Sequence, residues 1–197
     1  IQTFCEEYDY SFEFENSKFF GLPYEENDMV SYEGVKEYIN KITNFKPRDY
    51  QIEGIYDALR CNRRLIVSPT GSGKSLMIYA LSRYHAEQNK KVLIVVPTTS
   101  LVEQMYKDFY EYGWDVKTNC HRIYAGKDLF SKAPVIISTW QSLYKQDKKW
   151  FRNFSCVIGD EAHQFKSKSL MSIMTKLDGA KYRYGFTGTL DGTQTHK

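Results

Sequence analysis

The stretch LIVSPTGSGKS, residues 65–75, joins a short apolar run to a glycine-containing loop, and helix-favouring residues follow it. Gly71 and Gly73 let the backbone turn tightly and present N–H groups to an anion. The N-terminus of the following helix adds the positive end of its dipole. Lys74 and Ser75 stand where a lysine reaches the outer phosphates and a hydroxyl binds Mg²⁺. The stretch therefore predicts a phosphate-binding loop (P-loop) between a strand and a helix.

A second segment, CVIGDEAH at residues 156–163, delivers two carboxylates at the end of another apolar run. Asp160 and Glu161 can supply a ligand for Mg²⁺ and a base for a water molecule. Neither segment alone establishes a nucleotide site. Ser68 replaces the glycine of the strict P-loop pattern, and an acidic turn is often a solvent-exposed turn with no catalytic role. Together, in strand–loop–helix context, they predict a nucleoside triphosphatase.

Composition sets broad limits on the class of protein. The chain has 197 residues, 42% hydrophobic residues and a net charge of +3, which fits one α/β domain with a small appendage. That charge is too small to indicate nucleic acid by itself. The 16 tyrosines can serve as base-stacking surfaces or as core, and the sequence leaves both open.

The cysteine pattern and the hydropathy exclude several classes of protein. The four cysteines form no C-x-x-C pair, so structural zinc is not expected and a reducing cytoplasm is. The longest strongly apolar run, VLIVV, is far too short to span a bilayer, and no signal peptide is visible.

The pattern of residues changes near position 44. Residues 1–44 predict a strand at 8–15 and a helix at 31–42 with Ser31 as its N-cap, and they form either the remainder of an N-terminal domain or a flap. Residues 45–197 alternate strand and helix patterns, which predicts a mostly parallel sheet with helices on both faces and a ligand at the carboxyl ends of the strands. Predicted strands are 64–68, 91–97, 121–124, 133–139, 155–160 and 182–188, and predicted helices include 47–60, one after Thr98, one from Thr139 towards Trp150, and 169–177.

Four shorter motifs flank the two main ones: RDYQ (48–51), PTTSLVEQ (97–104), STWQSL (138–143) and GFTGT (185–189). The amide of Gln51 can donate to and accept from an adenine edge, or it can be an ordinary surface helix residue. The hydroxyls of the threonine motifs can hold backbone phosphates or cap the following helices, and both roles can hold together.

In order and context this set of motifs resembles the superfamily 2 helicases of the DEAH type, over residues 45–197. Within that superfamily it looks most like a phage recombination helicase, on VPTTSLVEQM, APVIISTWQSLYKQDKKWF and GFTGTLDG. The resemblance implies a RecA-like P-loop NTPase domain. It also implies that the first 44 residues are the end of an accessory DNA-binding domain.

The resemblance carries roles for individual residues. Asp160 and Ser75 would bind Mg²⁺, Glu161 would activate the attacking water, and Lys74 and His163 would complete the catalytic set. His163, together with Thr187 and Thr189, would couple the ATP state to the grip on DNA. The residues implied to hold ATP are Arg48, Gln51, Thr70, Gly71, Ser72, Gly73, Lys74 and Ser75, and those implied to line the DNA strand are Pro97, Thr98, Thr99, Thr139 and Gln141. Ser68, Gly159 and Gly188 depart from the usual family residues, but each swap is small.

The resemblance further implies an ATP-dependent DNA helicase or translocase that remodels branched DNA, by fork regression and branch migration, in recombination, replication and repair. RNA remains an alternative partner. A superfamily 2 motor needs a second RecA-like domain with arginine fingers, which are worth about 10³–10⁵ in rate in related reactions. No Arg-rich motif follows here, so we expect the first motor domain of a longer protein, weak or inactive alone. Two rival functions stay open: a duplex translocase of a restriction system and an ATP-gated nucleic-acid binding module.

Overall fold

The computed structural model describes residues 26–69, 71–124, 129–162 and 167–188. Within these ranges the chain folds into strands and helices that alternate as predicted. The strands are β1 (Arg63–Val67), β2 (Val92–Val96), β3 (Cys120–Ile123), β4 (Val135–Thr139), β5 (Cys156–Gly159) and β6 (Tyr182–Thr187). The helices are α1 (Tyr32–Ile42), α2 (Asp49–Arg60), α3 (Lys74–Glu87), α4 (Thr99–Glu111), α5 (Val116–Asn119), α6 (Trp140–Leu143), α7 (Lys148–Phe151) and α8 (Lys168–Lys176).

The six described strands form one sheet in the order β1-β6-β5-β2-β4-β3, and every pairing is parallel. The last strand in sequence, β6, therefore lies between β1 and β5. Its register aligns Thr187 with Val67 on one side and Gly185 with Gly159 on the other. The carboxyl ends of β1, β6 and β5 thus lie side by side at the same end of the sheet. The P-loop follows β1 and the acidic segment follows β5, with β6 between them.

The centre of the sheet is buried on both faces, which confirms the prediction drawn from its apolar runs. Every residue of β2, β4 and β5 is buried. The core on one face includes residues of α1 to α4, and the core on the other face includes residues of α6 to α8. The prediction of an α/β RecA-like fold with helices on both faces is confirmed.

Helix α1 is the one helix in the described part of the N-terminal segment, residues 26–44. It begins where predicted, with Ser31 as N-cap accepting a hydrogen bond from the N–H of Gly34 at 3.2 Å. Its buried face, Val35, Ile39 and Ile42, belongs to the same core as α2 and α3. The predicted strand at 8–15 lies outside the described residues.

One helix prediction is wrong: no single helix runs from Thr139 towards Trp150. Two short helices, α6 and α7, are separated by a turn at 144–147. Asp147 caps α7 by accepting from the N–H of Trp150 at 2.8 Å. The ammonium of Lys176 donates to the carbonyls of Tyr144 and Gln146 at 2.8 and 2.6 Å, so the carbonyls at this turn bond to a side chain.

Three cysteines in the described part of the chain, Cys61, Cys120 and Cys156, are buried and form no disulfide. Over the same residues, no cluster of three or more His, Cys, Asp or Glu side chains is arranged to hold a metal ion. Among the helices described here, none combines the length and the apolar character needed to cross a membrane.

Candidate functional site

The P-loop follows β1 and closes on itself through serine hydroxyls. The N–H of Ser68 donates to the carbonyl of Thr187 at 2.8 Å and extends the pairing of β1 with β6 to the base of the loop. The Ser68 and Ser72 hydroxyl oxygens are 2.5 Å apart, and Ser72 donates to the carbonyl of Pro69 at 2.6 Å. Gly71 and Gly73 have φ of 78° and 80°, the left-handed region for which glycine was predicted. Thr70 lies outside the described residues.

Lys74 connects the P-loop to the acidic segment. Its ammonium donates to the Ser68 carbonyl at 3.3 Å and lies 3.7 Å from Oε1 of Glu161. Both side chains are largely shielded from solvent, with exposed fractions of 13% and 28%. The structure therefore brings together the two motifs that the sequence identified separately.

The acidic pair lies at the end of β5. Burial raises the pKa of Asp160, and the neighbouring Glu161 raises it further, while the N–H of Glu161 and the ammonium of Lys74 act in the opposite direction. The Glu161 N–H donates to Oδ1 of Asp160 at 3.0 Å. A buried carboxylate beside a second carboxylate is an oxygen donor set that suits Mg²⁺, whose charge would stabilise the ionised form of Asp160.

Glu161 has an unusual backbone conformation, with φ of 53° in a residue that is not glycine. The left-handed region costs about 1–2 kcal/mol for a residue with a Cβ. Such strain often occurs at functional sites, where the surrounding structure holds it.

Gly185, which the sequence reading did not assign to the site, makes room for the acidic turn. A Cβ on this residue would lie 2.9 Å from Cδ1 of Leu65 and 3.0 Å from Cβ of Ala162. Because β6 lies between β1 and β5, a side chain here would meet both motifs. Its place in the GFTGT motif was the available signal.

Gln51 is buried against the P-loop, with 5% of its surface exposed, so the surface-helix alternative is wrong. Its Oε1 accepts from the N–H of Arg48 at 2.9 Å, and its Nε2 donates to the Ser72 carbonyl at 2.9 Å. The hydroxyl of Tyr50 donates to the same carbonyl at 2.7 Å and accepts from Arg48 at 2.9 Å. Sequence reasoning missed this contact of Tyr50 with the P-loop, although Tyr50 directly precedes Gln51.

The hydroxyl of Ser75, predicted to bind Mg²⁺, is 2.7 Å from the hydroxyl of Tyr112. Burial raises the pKa of Asp108, and a hydrogen bond with Ser75 offsets part of that effect. Burial likewise raises the pKa of Tyr112, with Ser75 acting in the opposite direction. Ser75 thus contacts the C-terminal end of α4 in this structure. Asp108 and Tyr112 carried no motif signal in the sequence.

The loops after β2 and β4 are joined at the same edge of the sheet. Nε2 of Gln141 donates to the Pro97 carbonyl at 3.3 Å. Thr98 caps α4 by accepting from the N–H of Leu101 at 3.3 Å, which confirms its predicted capping role. Thr98 and Thr99 are exposed.

Two other threonines of the predicted site, Thr139 and Thr187, are buried rather than exposed. Thr139 is buried, with 4% of its surface exposed, and its hydroxyl is 3.0 Å from that of Ser142. Thr187 is also buried, at 2%, and its carbonyl accepts from Ser68. His163 and Thr189 lie outside the described residues.

The P-loop follows β1, the acidic pair follows β5 with β6 between these strands, and Lys74 lies near both motifs. This arrangement defines a RecA-like P-loop NTPase domain. Residues 44–192 match the family model described as type III restriction enzyme, res subunit. The chain therefore belongs to this family, and the predicted resemblance to superfamily 2 helicases is confirmed.

Individual relatives agree with this assignment. The chain is 31% identical, over 96% of its length, to the ATP-dependent DNA helicase uvsW of Enterobacteria phage T4, and spans 39% of that protein. It is 33% identical over 72% of its length to the DNA 3'-5' translocase XPB2 of Sulfurisphaera tokodaii, and spans 30% of it.

Solved structures show the same likeness. A crystal structure of the UvsW helicase from bacteriophage T4 matches 96% of this chain and 69% of its own, with a TM-score of 0.80 and 30% identity. The SWI2/SNF2 ATPase core of Sulfolobus solfataricus in complex with dsDNA matches 75% of this chain and 33% of its own, with a TM-score of 0.62 and 17% identity. The second match shows the fold alone.

Proposed function

We propose that the protein is an ATP-dependent DNA helicase or translocase of superfamily 2, and that this chain is its first motor lobe. The observation that carries the proposal is the approach of Lys74 to Glu161, 3.7 Å apart, which joins the phosphate loop to the acidic pair. An enzyme that transfers phosphoryl groups mostly positions and neutralises charge. A lysine, a hydroxyl, a buried aspartate and one further carboxylate can do this.

The nucleotide is ATP with Mg²⁺. The backbone N–H groups of residues 70–75 and the Lys74 ammonium hold the phosphates, and Gln51 and Arg48 face the base. Ser75 and Asp160 would hold Mg²⁺, which would offset the phosphate charge. Lys74, now bonded to the Ser68 carbonyl, would bind phosphate oxygens.

Glu161 acts on the attacking water. Its carboxylate orients the water and takes its proton, while its backbone N–H steadies the Asp160 carboxylate at 3.0 Å. The positive φ of Glu161 fixes the direction in which this side chain leaves the end of β5. His163 and Thr189, with Thr187, couple the state of the nucleotide to the grip on DNA.

The nucleic-acid strand runs along the loops after β2 and β4. Thr98 and Thr99 are exposed there, and Gln141 ties the two loops together through the Pro97 carbonyl. Phosphate contacts of this kind position a strand without reading its sequence. Thr139 contributes by fixing the start of α6, since its own side chain is buried.

The wider assignments are those that the resemblance of the motifs to superfamily 2 helicases implies. They are remodelling of branched DNA in recombination, replication and repair, a second RecA-like domain that completes the ATP site, an accessory DNA-binding role for residues 1–44, and a cytoplasmic location. The second candidate function is translocation along duplex DNA without unwinding. It is favoured by the match to a restriction-enzyme family and by the relative named as a DNA translocase.

The test is the ATPase rate of the full-length protein with no nucleic acid, single strands, plain duplex, a four-way junction and RNA. Strongest stimulation by the junction, with strand separation, supports the helicase proposal. Equal stimulation by plain duplex without strand separation supports the translocase instead. No stimulation by any of these nucleic acids contradicts both.

A further inference from the structure

The contact between Ser75 and Tyr112 links the phosphate loop to a different part of the molecule. Ser75 lies in the first turn of α3, and Tyr112 directly follows α4. Their hydroxyl oxygens are 2.7 Å apart. Ser75 also lowers the pKa of Asp108, one turn earlier in α4, against the larger effect of burial. Neither α4 residue belongs to the motifs that the proposed function uses.

The ring of Tyr112 is held in place by other aromatic rings. Its centroid lies 5.3 Å from that of Phe45, edge to face, and 5.2 Å from that of Tyr79. Tyr79 is itself fully buried and donates to the Ile42 carbonyl at 2.6 Å. The hydroxyl of Tyr112 is therefore presented to Ser75 from a fixed position rather than from a mobile side chain.

A serine hydroxyl has one proton and two lone pairs. Here the Tyr112 hydroxyl bonds to the Ser75 oxygen from the side that faces α4, and either hydroxyl can be the donor. A metal ion needs a lone pair of the same oxygen. When the Tyr112 hydroxyl donates this bond, it draws electron density from the oxygen that would bind Mg²⁺, so the bond and the ligation oppose each other.

We propose that Tyr112 senses the nucleotide state: its hydroxyl holds Ser75 in the nucleotide-free protein and gives it up when Mg²⁺ and ATP bind. This inference rests on the proposed function, since it takes Ser75 as the magnesium ligand. Tyr112 is a positioning residue, because it acts through Ser75 and does not touch the nucleotide.

Helix α4 gives this exchange a route to the nucleic-acid loops. Its thirteen residues run from Thr99 to Glu111, a length of about 20 Å. Thr98 caps its first turn, and Tyr112 ends it. Loss of the bond to Ser75 removes one contact between the phosphate loop and the C-terminal end of this helix, while the exposed threonines lie at its N-terminal end.

The test measures the affinity of the full-length protein for a fluorescent ATP analogue, with Mg²⁺ and with EDTA, in wild type and in Tyr112→Phe. A net hydrogen bond of about 0.5–1.5 kcal/mol predicts that Tyr112→Phe binds the magnesium complex about 2- to 12-fold more tightly. Affinity in EDTA stays at the wild-type value, because no metal then claims Ser75. Tyr110→Phe, an exposed tyrosine in the same helix, is the matched control and changes neither affinity.

A second variant background, Ser75→Ala, distinguishes loss of the Ser75–Tyr112 bond from a general loosening of the P-loop. In Ser75→Ala the Tyr112→Phe change has no effect on magnesium-dependent affinity, because the contested oxygen is absent. Unchanged or weaker binding of the magnesium complex by Tyr112→Phe, or equal tightening with and without Mg²⁺, would overturn the proposal. If the wild type binds the analogue no better with Mg²⁺ than with EDTA, the proposed function itself fails.

The route through α4 has its own measurement, the single-strand affinity with and without the magnesium–nucleotide complex. The change caused by the complex is smaller in Tyr112→Phe than in wild type. An equal change in both proteins, or no change in the wild type, refutes the route through α4. The proposed exchange at Ser75 is then judged by the nucleotide titration alone.

Discussion

Replacing His85 with glutamine is expected to flatten the pH dependence of the free energy of unfolding. His85 lies in the last turn of α3 with 1% of its surface exposed. Its Nε2 is 3.0 Å from the Tyr184 hydroxyl, its ring centroid is 4.4 Å from that of Tyr182, and its Nδ1 has no hydrogen-bond partner among the described residues. Burial, aided by the charge of Lys90, lowers its pKa to about 3.

The sign follows from which state binds the proton. An unfolded histidine has a pKa of about 6.5, so below that pH the unfolded chain binds a proton that the native chain does not bind. The contribution of neutral, buried His85 to the free energy of unfolding is therefore fully present above pH 6.5 and is lost as the pH falls from 6.5 towards about 3. The slope approaches about 1.4 kcal/mol per pH unit, and the loss amounts to about 2 kcal/mol between pH 7.5 and pH 5.

Urea unfolding at pH 7.5 and pH 5 measures this loss. His85→Gln keeps a polar group for the Tyr184 hydroxyl but cannot titrate, so it loses about 2 kcal/mol less than wild type over this interval. Lys90→Gln removes only the smaller of the two causes that lower the pKa of His85, so its loss of unfolding free energy stays close to that of wild type. Equal losses in wild type and His85→Gln would refute the reasoning, since they would show that His85 is not the group responsible.

Three further predictions concern the site. Gly73→Ala places a Cβ at φ of 80° and against the Gln51 amide, so urea unfolding should show a loss of at least about 1–2 kcal/mol and nucleotide titration weaker binding; unchanged values would contradict the role of this glycine. Gln51→Ala removes the bond to the Ser72 carbonyl and should lower the preference for ATP over GTP in competition binding, and an unaltered preference would exclude Gln51 from base recognition. Gly185→Val forces Leu65 and Ala162 apart, with an expected cost of about 1–3 kcal/mol and slower turnover, and wild-type stability would show that the turn has room.

The elements that position the site follow directly from local sequence. The continuous apolar runs of β2 and β4 predict strands buried on both faces, because a helix covers each side of a parallel sheet. Gly71 and Gly73 stand where the loop needs positive φ, and Ser31 and Thr98 cap helices as their positions predict.

The parts that escaped prediction depend on packing between distant segments. Ser75 and Tyr112 are 37 positions apart, and His85 and Tyr184 are 99 apart, so no local pattern pairs them. The helix predicted towards Trp150 breaks in two because a capping aspartate and a lysine from α8 stabilise a turn there. Helical propensity alone does not contain that contact.

The central claim is that Lys74 and Glu161 belong to one ATP-hydrolysing site that nucleic acid stimulates. The most direct measurement compares DNA-stimulated ATP hydrolysis, and binding of the ATP analogue, in full-length wild type, Lys74→Ala and Glu161→Gln. The account predicts stimulated hydrolysis in wild type and its loss in Lys74→Ala. It also predicts that Glu161→Gln retains nucleotide binding while turnover falls by about 10²–10⁴. Robust DNA-stimulated hydrolysis by Lys74→Ala would contradict the account.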